Sequence, residues 1–188
     1  MSRARHLLAV LVFGVAFGYV EAAVVFYLRR LLDYHADYSV VGKHVYLDLG
    51  FIAFLTPDRP VLGTDVVTQA EIAREAATIV MLAAVAYLAA RGFWRRVAAF
   101  LVAFAAWDIA YYVWLHVLTG WPARLTDLDV YFLIPVTWVG PVATPLVICT
   151  LMLVGGAWWY LRGEPRGELS GELSGELRGE LRGREADR

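Results

Sequence analysis

Charge is what this sequence has least of: 19% of its 188 residues are charged and 60% are hydrophobic, far from the balance of a soluble domain. Most of the chain must therefore face something other than water. The 17 basic and 18 acidic residues nearly cancel, so no global field draws in nucleic acid, which is excluded as a partner, or a strongly charged substrate. The single cysteine, Cys149, excludes an internal disulfide and a thiolate metal cluster. Lying in an apolar run, it reads as a small buried hydrophobe. The chain also lacks a His-rich box, an HExxH motif, a nucleophile elbow, a glycine-rich phosphate loop and paired cysteines, so no catalytic signature is present. His116 is the sole histidine inside one of the long apolar runs. One such ligand is a weak basis for haem, and the pattern identifies neither cofactor nor metal.

What the chain does have is long apolar runs. A bilayer core about 30 Å thick takes about 20 residues of helix, and four segments reach that length: Leu7 to Leu28, Ala70 to Ala90, Val97 to Leu118 and Pro141 to Tyr160. The expected fold is all-α, an integral membrane bundle of four transmembrane helices. The lipid bilayer is the principal partner. Arg3 and Arg5 before an apolar run, with Val20-Glu21-Ala22 beyond, superficially resemble a signal peptide, but the run continues through Leu28 as a retained anchor does.

Basic residues resist translocation. Arg3 and Arg5, the turn with Arg91, Arg95 and Arg96, and the stretch with Arg162 and Arg166 can share the cytoplasmic side, giving an N-in/C-in protein of the bacterial cytoplasmic membrane. Arg29 and Arg30 oppose this orientation, though the long outer loop between helices 1 and 2 weakens their vote. Aromatic belts agree with it: Tyr87, Trp94 and Trp158 to Tyr160 mark one face, and Trp114, Trp121 and Trp138 the other. Trp107 falls inside a span and needs an acceptor for its indole N–H.

Between the spans, Leu49 to Leu55 is too short to cross and is expected on the outer surface or over the bundle. Thr68 and Glu71 have capping-box spacing, which starts the second helix near Gln69. Asp127 to Ile134 reads as a short surface helix capped by Thr126. Pro135, Gly140, Pro141 and Pro145 then give a proline-broken start to helix 4. Residues 1–162 form the transmembrane domain and 163–188 a low-complexity cytoplasmic tail. In its Gly-Glu-Leu repeat, leucines four apart drift around a helix, and each glycine costs roughly 1 kcal/mol of helix propensity. That tail is expected to be disordered.

Ionisable groups inside the spans carry whatever function is legible, because a central aspartate costs about 2.5–3.5 kcal/mol on insertion. Glu21 lies in helix 1, beside a small-residue stripe of Gly14, Gly18 and Ala22. Such a stripe admits another helix, from this chain, a second copy or a membrane partner. Asp108, Tyr112 and His116 follow at spacing four on helix 3, with Tyr111 beside them, while Glu71, Arg74, Glu75 and Thr78 share a face of helix 2. Glu21, Glu75, Asp108, Tyr112 and His116 are thus the candidate ion- or proton-binding residues, with Arg74 as charge partner and an outward opening. They suit a proton- or cation-coupled transport or membrane-complex component, in which case a homo-oligomer is expected. They also suit a structural subunit whose polar core satisfies itself, with Arg74 paired to Glu21 or Asp108. A metal-dependent enzyme acting on a lipophilic substrate, with a carboxylate as base and His116 as ligand or acid, is the third alternative. The orientation is tested by topology reporters inserted in the Arg91 to Trp94 turn and after Arg166. Both are expected to report cytoplasm, and periplasmic activity at either overturns it.

Overall fold

The computed structural model describes residues 2–31, 45–55 and 65–162; the repeat tail and the rest of the long loop lie outside the described residues. The element order is α1 (Arg3–Leu31), β1 (Val45–Asp48), β2 (Ala53–Leu55), α2 (Asp65–Ala89), α3 (Phe93–Thr119), β3 (Leu128–Phe132), β4 (Thr137–Pro141) and α4 (Ala143–Arg162). All four helices are long and apolar enough to span a membrane. Helix closes every backbone hydrogen bond within its own segment, which is what a chain of this composition requires in lipid.

α3 is the central helix. Its inner faces are lined by Ala98, Ala99, Ala103, Ala106 and Ala110, all buried, and small side chains let the other helices come close. The Gly14 and Gly18 stripe of α1 lies against it: a Cβ on Gly18 would meet the Trp107 carbonyl oxygen at 2.6 Å, and one on Gly14 would meet Ala106 Cβ at 2.8 Å. Ala22 is fully buried, so these positions serve packing within the chain. Trp114 Nε1 adds a hydrogen bond to the Val15 carbonyl at 3.2 Å. On the other side of α3, Gly156 of α4 approaches Val102 and Ala98.

The helix ends are closed by identifiable groups. α3 stops at Gly120, whose φ of 75° is the left-handed conformation that glycine adopts without strain, and its N–H returns to the His116 carbonyl at 2.8 Å. At the opposite end of the bundle, Tyr160 Oη donates to the Ala89 carbonyl at 2.7 Å and Arg96 Nε to the Ala90 carbonyl at 3.2 Å, satisfying acceptors that the end of α2 leaves open. This turn end carries the expected aromatic and basic residues, with Trp94 stacked on Trp159, Arg96 over Tyr87 and Arg162 over Trp158.

The sheet end departs from the sequence-based expectation. Segments from the two long connections join in one antiparallel sheet of order β1-β2-β4-β3. Asp127 to Ile134 is therefore not a surface helix; it contains β3, which pairs Val130 with Val139 and Asp129 with Gly140. Asp127 caps a turn instead, its Oδ2 accepting the Ala123 and Arg124 N–H groups at 2.8 and 2.9 Å. β2, within the short apolar run, pairs Phe54 with Trp138. Trp138 thus packs within the sheet against Phe54 and Phe132. Pro135 lies between the two strands, Gly140 and Pro141 close β4, and Pro145 sits in the first turn of α4, where its missing N–H breaks no helical bond. α2 begins at Asp65, four residues before Gln69, so Thr68 lies inside the first turn and is not its cap.

Gly18→Val is expected to destabilise by about 1–3 kcal/mol, because the added atoms meet α3 backbone that cannot yield locally. Gly155 has nothing within 4 Å of its would-be Cβ, so Gly155→Ala is the matched substitution expected to leave stability unchanged or improved. Thermal unfolding of the two variants in detergent, beside the wild type, checks the pair; equal melting temperatures would contradict the close α1 to α3 seam.

Candidate functional site

α1, α2, α3 and β3 enclose a cavity of about 100 Å³ toward the sheet end. Its polar wall begins with Arg74, one turn along α2 from Glu71 and beside it on the same face. The guanidinium Nε donates to Glu71 Oε2 at 2.8 Å, and Nη1 pairs with Glu21 Oε1 of α1. The side chains of Glu21 and Glu71 are 11% and 10% exposed and that of Arg74 25%, so both carboxylates are largely withdrawn from water and share one cation. Removing such a cation leaves uncompensated charge behind.

Glu75, one further position along α2, turns to the sheet. It accepts the Leu133 N–H at 2.8 Å, which ties α2 to the end of β3. The strand contributes Asp129 to Phe132 to the cavity wall, and α3 contributes Trp107 and Tyr111. Trp107 is 5% exposed, and its buried indole N–H has no acceptor among the described residues. Buried donors are almost always paired with protein or with ordered solvent. Arg29 also lines the cavity and stacks over Trp121, 4.5 Å from the ring centre.

Of the sequence-derived candidates, Glu21, Glu75 and Arg74 meet at this cavity, whereas Asp108, Tyr112 and His116 are not among the residues that line it. The Cys149 thiol donates to Asp108 Oδ2 at 3.3 Å; Cys149 is accordingly a polar partner joining α4 to α3, and not only a small hydrophobe. Tyr112 Oη donates to Asp129 Oδ2 at 2.9 Å, fixing β3 to α3. His116 is exposed, with Nδ1 2.9 Å from the Pro122 carbonyl. Arg74 therefore pairs with Glu21 and Glu71, and Asp108 finds a thiol. Among the described residues, no three His, Cys, Asp or Glu side chains group as a metal site.

Asp129 is the site residue the sequence reading missed, along with Tyr131 and Phe132. The run Val130-Tyr131-Phe132 followed by Pro135 carries β-branched and aromatic side chains before a breaker, which is the signal of a strand. Burial pushes the Asp129 carboxyl up to about 6, against the opposing pull of the Tyr112 hydroxyl and the Arg29 guanidinium. Burial likewise pushes the Tyr131 phenol up to about 12, reinforced by Asp129 and Asp108. Around the cavity four carboxylates, Glu21, Glu71, Glu75 and Asp129, face two guanidinium groups, Arg74 and Arg29. The surplus is negative, and in a medium of low dielectric it calls for a proton or a cationic group.

No family model, curated protein or solved structure matches the chain. The geometry of the cavity therefore carries the functional argument.

Because the Asp129 carboxyl binds its proton more tightly folded than unfolded, its contribution to stability is full below about pH 4 and is lost as pH rises through about 6. Asp129→Asn keeps an acceptor for Tyr112 and removes the titration. The variant is expected to gain up to about 3 kcal/mol relative to the wild type above that window. Melting temperatures of both proteins from about pH 4 to about pH 8 check this, and parallel curves would show that Asp129 titrates normally.

Proposed function

We propose that this protein is a membrane-embedded binding component that takes up a proton or a small cation in the carboxylate-lined cavity beneath the sheet, in a transport or membrane-complex role. The observation that carries it is the excess of carboxylates around a cavity of about 100 Å³, in a chain whose four long helices are apolar enough to span a membrane. Glu75 is the group assigned to uptake. Glu21 and Glu71 contact Arg74 directly, whereas Glu75 accepts the Leu133 and Ile134 backbone N–H groups and feels Arg74 through space, which leaves it the carboxylate best placed to meet an incoming positive charge. In the N-in/C-in orientation the cavity opens away from the cytoplasm, because the Arg91 turn and the Arg162 end of α4 lie at the other end of the bundle.

A purely structural role is the competing reading, and the Glu21, Arg74 and Glu71 pairing favours it, since those three charges satisfy one another. The two readings differ at Glu75. If the cavity takes up a proton or cation, wild-type protein in detergent is stabilised as pH falls from about 8 to about 5 or as Na⁺, K⁺, Mg²⁺ or Ca²⁺ is added. Glu75→Gln keeps an acceptor for Leu133 and is expected to abolish the cation response and most of the pH response left after Asp129→Asn. Unchanged responses in Glu75→Gln, or none in the wild type, would leave the structural role standing alone.

A further inference from the structure

The cavity pairs its negative wall with features that a simple ion does not use. Trp107, Tyr111, Tyr131 and Phe132 bring four aromatic rings to the lining, and ring faces attract organic ammonium groups, most strongly where water is excluded. The Trp107 indole N–H is buried without an acceptor among the described residues, although Trp107 is only 5% exposed. That unmet donor asks for an oxygen from whatever fills the space. A volume of about 100 Å³ exceeds the roughly 10–15 Å³ that a single water needs, so the space admits a small organic group.

We infer that the cavity holds a small organic ammonium group with a neighbouring oxygen acceptor, the chemistry of an amino alcohol. The ammonium lies against Glu75 and the aromatic rings, and the oxygen takes the Trp107 indole N–H. This deepens the proposed cation uptake and rests on it. The same chemistry occurs in a free amino alcohol and in an ethanolamine lipid headgroup, and α1, α2 and β3 bound the cavity at the end of the bundle, where a headgroup and a soluble amine both arrive.

The test uses the full chain in maltoside micelles, which contain no amine. Ethanolamine, ethylamine, ethanol and K⁺ are titrated separately, with thermal stability and calorimetric affinity as readouts. Ethanolamine is expected to bind about five- to tenfold more tightly than ethylamine, the worth of one added hydrogen bond to a buried donor, and ethanol not at all. Trp107→Phe keeps a ring and loses the N–H, so its ethanolamine affinity is expected to fall to that of ethylamine with ethylamine binding unchanged. Phe132→Leu, which leaves the indole in place, is expected to weaken both amines; it keeps the proposal testable if Trp107→Phe fails to fold. A parallel arm doped with phosphatidylethanolamine or phosphatidylglycerol distinguishes the sources. Selective stabilisation by the ethanolamine lipid, with loss of ethanolamine binding by competition, identifies a headgroup; binding of free ethanolamine alone identifies the soluble amine. Equal affinity of the wild type for ethanolamine and ethylamine overturns the oxygen contact. Stabilisation by protons or K⁺ with no response to either amine overturns the inference while cation uptake stands, and no response to anything overturns both.

Discussion

At Gly18 the backbone of α1 lies so close to that of α3 that a single added carbon would meet the Trp107 carbonyl oxygen and the Tyr111 nitrogen at 2.6 and 2.8 Å. Everything at the sheet end follows from that approach. One turn further along α1, Glu21 is brought to the wall that Trp107 and Tyr111 share, at a depth where its charge needs a partner. The partner comes from a third helix. Arg74 crosses from α2 to Glu21 while holding Glu71 on its own helix, so one guanidinium fixes α2 relative to α1. The glycines thus set a distance, and the distance dictates which ions must pair.

The ion pair matters more because apolar packing in lipid is a weak organiser. Helices in a bilayer gain little by hiding hydrophobic side chains from equally apolar lipid tails, so close packing and polar contacts decide their arrangement. α3 meets α1 and α4 through small residues, whereas α2 presents Glu71, Arg74, Glu75 and Thr78. Its position at the sheet end is held by Arg74 to Glu21 and by Glu75 to the Leu133 N–H. The sheet therefore does more than cover the bundle: β3 supplies the Asp129 acceptor for Tyr112 and one wall of the cavity, and Leu133 just beyond it supplies the backbone donor for Glu75.

The four helices were legible because apolar runs of about twenty residues have few competing interpretations, and their bounds shifted by only a few residues. Local signals misled where a distant partner prevailed. Thr68 and Glu71 have capping spacing, yet α2 extends back to Asp65. Thr126 resembles a helix cap, yet residues 128–132 pair with 137–141, which in turn pair with 53–55. No window on the sequence contains both β2 and β4, so that sheet could not be read from periodicity. The same limit divided the polar residues. Spacing four placed Asp108, Tyr112 and His116 on one face of α3, but a face does not specify a neighbour, and Cys149, Asp129 and the Pro122 carbonyl receive them separately. Glu21 and Arg74 were recognisable because an intramembrane charge requires compensation, whichever helix supplies it.

Below the cavity the bundle is apolar. Leu7, Val10, Leu82, Ala86, Val102 and Tyr160 form one buried cluster with Trp107, and Trp107 also borders the cavity. A second depression, lined by Arg3, His6, Arg91, Arg95 and Tyr160, lies at the turn end. The apolar cluster separates a basic recess at one end from an acidic cavity at the other. A charge crossing that layer would lose its compensation, at the cost that keeps ions out of any low-dielectric interior. In the proposed role, uptake at the sheet end needs no change in this layer, while movement across it would require α1 and α2 to part at Arg74. The Glu21 to Arg74 pair joins those helices by charge at the cavity wall, so a bond that holds the cavity together is also one that such a movement would have to break.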